Sequence, residues 1–319
     1  MLEVWENKDD KASWTRSKSM IYNLALKDLG YLWSCKDVGW DGAPTKYNVT
    51  PMYFTKVCHT QGSGTKNIVL VGNSHARAMY YGIEHAFHGL YKTLTLLALH
   101  QCTFIQLQKM KKTYSKERYN GCKILNRDIV KMFKMWNYPI DIIIIGHAFP
   151  IADDPEFDLE DLKDDVEYHQ LQKLHTGLSG VAREVVFTPV SHFDSGIRSH
   201  MQTLQREIMY NQNLKLFRTP ISYVRSVWPN AQQRIRHINC TNCILMDWVD
   251  LYCDKKTGFC DSIDFERKLS FFFDSNHHNA YGSLHVGHFI RKLYDKWAMK
   301  NETNGSKLNN NLSSKASKT

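Results

Sequence analysis

Two short segments of this chain hold the residue types that nucleophilic catalysis needs. The first is Asn67–Arg77, NIVLVGNSHAR, where an apolar run ends at Gly72 and Ser74 follows in a polar turn. The second is Phe271–Val286, FFFDSNHHNAYGSLHV, where Asp274 and His277 stand three residues apart. A serine hydroxyl is a weak nucleophile until a base takes its proton. Histidine suits that task because its pKa lies near working pH. A carboxylate close in sequence could hold the imidazole tautomer and stabilise the imidazolium that forms. Ser74, His277 and Asp274 are therefore the candidate catalytic residues. Each segment also has a plainer reading: Ser74 as a helix N-cap, and the second segment as a surface loop rich in His and Asn.

These residues need elements to position them. The run before Gly72 reads as a buried strand and the residues after Ser74 as a helix, which puts Ser74 at the carboxyl end of a strand. Open α/β sheets bind ligands at that edge. The first N–H groups of a helix have no intrahelical partner and can hold a developing oxyanion. Gly72 would allow a sharp turn without a Cβ clash. Further strand candidates are Thr93–Leu99, Asp141–Gly146 and Glu184–Pro189. Their continuous apolar character suits strands buried on both faces. Helical stripes alternate with them: Ala76, Met79, Tyr80, Ile83 and Phe87; then Leu125, Ile129, Met132, Phe133 and Trp136; finally Val286, Phe289, Ile290, Leu293 and Trp297. These are core faces rather than cofactor boxes. The alternation predicts an α/β fold, a three-layer α/β/α sandwich with a mostly parallel central sheet and helices on both faces. The domain is expected over 35–299, after a partly ordered N-terminal extension (1–34) and before a disordered polar tail (300–319).

Taken together, Gly72-Asn73-Ser74-His75 and Asp274-Ser275-Asn276-His277 resemble the SGNH hydrolase superfamily in order, chain position and expected setting. The form GNSH, with DSNH followed by Gly282, is most similar to the SGNH domain fused C-terminally to membrane-bound type-3 acyltransferases. The cysteine pattern strengthens that likeness. It implies a flavodoxin-like sheet and O-acyl transfer or ester hydrolysis through an acyl-Ser74 intermediate, with no cofactor. The implied partners are an acyl donor, a hydroxyl acceptor on a carbohydrate, lipid or protein, and a membrane-bound acyltransferase domain. A freestanding esterase is one alternative, and a catalytically weak binding or structural ectodomain is another. The likeness also has departures. Members of the superfamily take further oxyanion donors from a glycine after the second strand and an asparagine after the third. Here the second strand runs into Leu99-His100-Gln101-Cys102 and the third into Gly146-His147-Ala148. The Ser74 amide remains as a donor, with Gly146 and His147 as candidate substitutes.

The eight cysteines, Cys35, Cys58, Cys102, Cys122, Cys240, Cys243, Cys253 and Cys260, allow full pairing. Cys35–Cys58 and Cys102–Cys122 are favoured because each pair brackets one local segment. Cys240–Cys243 with Cys253–Cys260 is a first expectation for the rest. A zinc cluster at the last four lacks a second tight pair, and a thioredoxin-like reading of Cys240-Thr-Asn-Cys243 lacks its strand–helix context. Such cysteine usage points to an oxidising compartment, as do the sequons at Asn48, Asn239, Asn301, Asn304 and Asn311. The N-terminus lacks the apolar stretch of a signal peptide, which alone would suggest the cytosol; the expectation is an extracytoplasmic, membrane-associated domain whose export signal lies upstream. The net charge of +9 comes from scattered basic residues without a basic helix or RNA-binding signature, so no nucleic-acid partner is expected. His192 and Asp194, near Ser191, form a rival base and carboxylate that reads better as a surface turn. His85, His88, His100, His278 and His285 are dispersed, and no metal is assigned.

Overall fold

The computed structural model of the 319-residue chain describes residues 14–29, 37–39, 42–46, 56–100, 102, 116–148, 162–190, 200–210, 213–226, 229–274 and 276–316. In chain order the strands are β1 (Lys56–Gln61), β2 (Lys66–Gly72), β3 (Tyr91–Ala98), β4 (Ile140–Ala148), β5 (Ala182–Val190), β6 (Arg218–Pro220), β7 (Cys243–Leu245), β8 (Cys253–Asp254), β9 (Phe259–Asp261), β10 (Ile263–Asp264) and β11 (Leu269–Ser270). The main sheet runs β1-β3-β2-β4-β5-β7. Every pairing in it is parallel except that of β1 with β3, an antiparallel edge. The four expected strands are β2 to β5, each within a residue or two of its expected ends. The helices are α1 (Arg16–Leu29), α2 (Ser74–Ala86), α3 (Lys116–Lys134), α4 (Val166–Ser179), α5 (His200–Met209), α6 (Ile221–Ser226), α7 (Pro229–Arg236), α8 (Trp248–Tyr252) and α9 (Ala280–Ala316).

Strand side chains alternate between faces, so a continuous apolar run supplies two cores at once. Ile68, Leu70, Ile142 and Ile144 pack on one side with Met79, Tyr80 and Ile83 of α2 and Val286 and Ile290 of α9. Val69, Val71, Ile143 and Ile145 pack on the other with Ile129 and Phe133 of α3 and Leu171 and Leu178 of α4. That is the expected three-layer α/β/α sandwich. The α2 and α9 backbones touch: a Cβ on Gly82 would lie 1.7 Å from the Ser283 carbonyl oxygen, and one on Gly287 would lie 2.1 Å from that of Gly82. The Ser283 hydroxyl accepts the Gly82 N–H at 2.8 Å. This crossing holds the helix that begins at Ser74 against the helix that follows His277.

Both ends of the chain carry a helix. In the extension expected over 1–34, α1 packs on the β10–β11 hairpin. Ser19, 1% exposed, donates from Oγ to the Arg267 carbonyl at 2.7 Å. Asn23, fully buried, donates from Nδ2 to the Lys268 carbonyl at 2.7 Å and accepts the Ser270 N–H at 3.0 Å. At the other end, α9 runs to Ala316 through most of the stretch 300–319 expected to be a disordered tail. Extending a formed helix adds one hydrogen bond per residue fixed, without the nucleation cost that discourages short polar helices.

Disulfides join Cys102 to Cys122, Cys240 to Cys243 and Cys253 to Cys260, as expected. Cys58 is also disulfide-bonded; Cys35, its expected partner, lies outside the described residues, as do Asn48, Ser191, His192 and Asp194.

Candidate functional site

β2 is the point where the strand order reverses. Its successor β3 lies on one flank and β4 on the other, both parallel to it. The chain leaving β2 therefore enters the crevice at the carboxyl edge of the sheet. Gly72, the last residue of β2, stands in register with Gly146. A Cβ on Gly72 would lie 1.8 Å from the Gly146 carbonyl oxygen, and one on Gly146 would lie 2.2 Å from Met79 Cε. Neither glycine has a positive φ. Gly72 is thus required for close approach between strands rather than for the turn conformation the sequence suggested.

The cap of α2 is Asn73, not Ser74. Asn73 is extended, at φ −98° and ψ −152°. Its Oδ1 accepts the His75 N–H at 3.0 Å, and its own N–H donates to the Gly146 carbonyl at 3.3 Å. Ser74 is the first helical residue, so its N–H is one of those without an intrahelical acceptor. The plainer reading of Ser74 as an N-cap is overturned, because its neighbour fills that role. His147 follows Gly146 on β4.

The second segment is a short loop between β11 and α9. Asp274 organises it: Oδ1 accepts the N–H of Asn276 at 2.9 Å and of His277 at 2.7 Å. Its Oδ2 lies 2.8 Å from His277 Nδ1. On the opposite side of the ring, His277 Nε2 lies 2.7 Å from Ser74 Oγ. A ring that donates from Nδ1–H to Asp274 presents Nε2 as the acceptor for the Ser74 hydroxyl. The two segments therefore meet in one line of hydrogen bonds. Burial alone would raise the Asp274 pKa; the hydrogen bond and charge of His277 and the two loop amides outweigh it and hold the group at about 2. Asn279 ties the loop to the strand before it, its Nδ2 donating to the Ser270 carbonyl at 2.7 Å.

Two further histidines line this loop. His75 lies with its ring parallel to that of His277, the centroids 4.4 Å apart. In the sequence His75 stands out only as part of the Gly72-Asn73-Ser74-His75 motif; adjacency to Ser74 carries no signal that its ring would meet one so distant in the chain. His278 is 1% exposed and stacks on Trp248 at 5.0 Å. Burial first, then repulsion from His277 and His285, lowers its pKa to about 3 and keeps it neutral. His85 lies 3.2 Å from His288 across the α2–α9 contact, and His285 stacks on Phe271. Among the described residues, no group of three or more His, Cys, Asp or Glu converges on a metal-sized site.

A serine at the start of a helix, on the reversal point of a parallel sheet and bonded to a His–Asp pair from the last loop, marks an α/β domain of the hydrolase kind. The chain belongs to the family described as "SGNH domain (fused to AT3 domains)", whose model matches residues 43–292. This places it among domains associated with acyl transfer and hydrolysis. Of solved structures, the chain is similar to the lipopolysaccharide acetyltransferase periplasmic domain of Salmonella ser. Paratyphi A, with 13% identity, TM-score 0.48, and 91% of this chain and 99% of that chain covered. It is also similar to a protein of Streptococcus pneumoniae provisionally described as a platelet activating factor, with 12% identity, TM-score 0.33, and 93% and 97% covered. No curated protein sequence matches the chain.

Proposed function

We propose that this domain transfers or hydrolyses oxygen esters through an acyl-Ser74 intermediate, with His277 as general base and acid and Asp274 orienting its ring. The observation that carries this reading is the continuous hydrogen-bond line from Ser74 Oγ through His277 to Asp274, 2.7 Å and 2.8 Å in its two links. As Oγ attacks the acyl carbonyl carbon, its proton passes to Nε2 and the carbonyl becomes an oxyanion. Collapse breaks the bond to the donor's alkoxy group, which leaves with the proton from His277. An acceptor hydroxyl then gives its proton to His277 and attacks the same carbon; collapse breaks the bond to Ser74 Oγ, which takes that proton back from His277. With water as acceptor, the outcome is hydrolysis.

The Ser74 N–H is the first oxyanion donor in this scheme, and an amide or ring N–H at Gly146–His147 is the second. Lacking a glycine and an asparagine at the usual places, the site stabilises the oxyanion weakly, and one lost donor costs about two to three orders of magnitude in turnover. A donor delivered by a neighbouring domain offsets that loss through effective concentration. The family's fusion to acyltransferase domains supports transfer from such a membrane partner; in this scheme the acceptor is a carbohydrate or lipid hydroxyl. The disulfides support an extracytoplasmic location. The same weak oxyanion site favours a second reading, a binding or structural ectodomain that keeps the fold. Intact-mass spectrometry after exposure to an activated aryl acetate separates the two. An acetyl adduct on the protein, absent in Ser74→Ala along with turnover, is expected. Turnover surviving in Ser74→Ala would contradict an acyl-Ser74 intermediate, and a folded protein with neither adduct nor turnover rules for the second reading.

A further inference from the structure

We propose that His75 is a positioning residue for His277, its ring forming a flat wall that keeps the base turned toward Ser74. The proposal deepens, and rests on, the reading of Ser74, His277 and Asp274 given above. His75 is 3% exposed. Its ring and that of His277 lie 4.4 Å apart between centroids with 13° between planes. The two rings come from α2 and from the loop before α9, so the stack exists only where the two halves of the site are assembled.

An imidazole has one soft torsion at its root, and a broad one. The bonds to Ser74 Oγ and Asp274 Oδ2 hold opposite edges of the His277 ring, on an axis about which it can still tilt. A second ring in contact over one face opposes that tilt without competing for either ring nitrogen. The wall is itself anchored. The His75 N–H is held by Asn73 Oδ1, the same cap that sets Ser74 at the head of α2. Nucleophile and wall are consecutive residues on one rigid turn, so any shift of α2 carries both together. Sites built this way keep the base in its productive geometry between turnovers, where about 1 Å of misplacement costs on the order of 100-fold.

The test compares His75→Phe, which keeps a flat ring, with His75→Leu, which keeps apolar bulk without one. In each, kcat and KM for an aryl acetate are measured with thermal stability and the NMR signals of the His277 ring. The expected result is a kcat about ten- to a hundred-fold lower in His75→Leu at unchanged KM, and within about threefold of the parent in His75→Phe. The His277 ring protons should lose their ring-current shift and gain motion in His75→Leu only. A His75→Leu protein with parental kcat, or a His75→Phe protein as slow as His75→Leu, overturns the proposal. If the parent protein shows no turnover, the catalytic reading fails separately. The His277 ring then decides: added motion in His75→Leu upholds the wall, and unchanged signals overturn it.

Discussion

Asp274 illustrates how much of this site is decided by single side chains. Burial would push its carboxyl up, yet its bonds to His277 and the loop amides bring it from 3.8 down to about 2. A group whose folded pKa is depressed stabilises the fold above its unfolded pKa and loses that contribution as pH falls through the folded value. Parent and Asp274→Asn proteins should therefore differ in denaturant stability near neutrality, and the difference should shrink between pH 3.8 and about 2. A difference that is constant across that window would contradict the carboxylate's role. The same scale shows what the sequence could tell. Ser74, Asp274 and His277 were readable because each stands beside an apolar run that fixes its setting. Asn73 as the cap and Gly72 as a point of contact with β4 were not, since both depend on what lies across the sheet. The His75–His277 stack was hidden for the same reason.

Among the elements, those with long apolar runs declared themselves. The central apolar residues of β2 to β5 are buried on both faces, and the stripe on α2 is wholly buried. β1, with its polar sequence KVCHTQ, and β7, with three residues, gave too little pattern to be read. α1 was missed because few of its apolar residues are buried, Leu26 among them, and much of its attachment is polar: Ser19 and Asn23 bond backbone groups of the hairpin that leads into the Asp274 loop. The family model begins at residue 43, so this helix lies outside the matched region. Asn23→Ala would remove the hydrogen bonds to the Lys268 carbonyl and from the Ser270 N–H. The expected cost is about 2 kcal/mol in urea unfolding, with the slope unchanged. A loss within experimental error would mean that α1 is only loosely held.

At the scale of the whole molecule, disulfides and a two-sided core make a domain suited to an oxidising compartment. The Cys102–Cys122 bridge closes a loop of separation 20. Replacing both cysteines with serine should cost about 3 kcal/mol by the loop-entropy relation. Non-reducing peptide mapping should return the three described pairs; free thiols at Cys240, Cys243, Cys253 and Cys260 in secreted protein would contradict them. No described helix is long and apolar enough to cross a membrane. In the proposed scheme, the donor is brought to Ser74 by a membrane-bound acyltransferase partner, and the domain's own hydrolysis of simple acetyl esters is weak. The central claim is nevertheless local: His277 activates Ser74. Fluorophosphonate labelling followed by mass mapping reads that activation directly, without knowledge of donor or acceptor. The account requires a label on Ser74 in the folded parent protein and its loss in a folded His277→Ala protein. A folded parent that takes no label, or labelling at Ser74 that persists undiminished without His277, would contradict it.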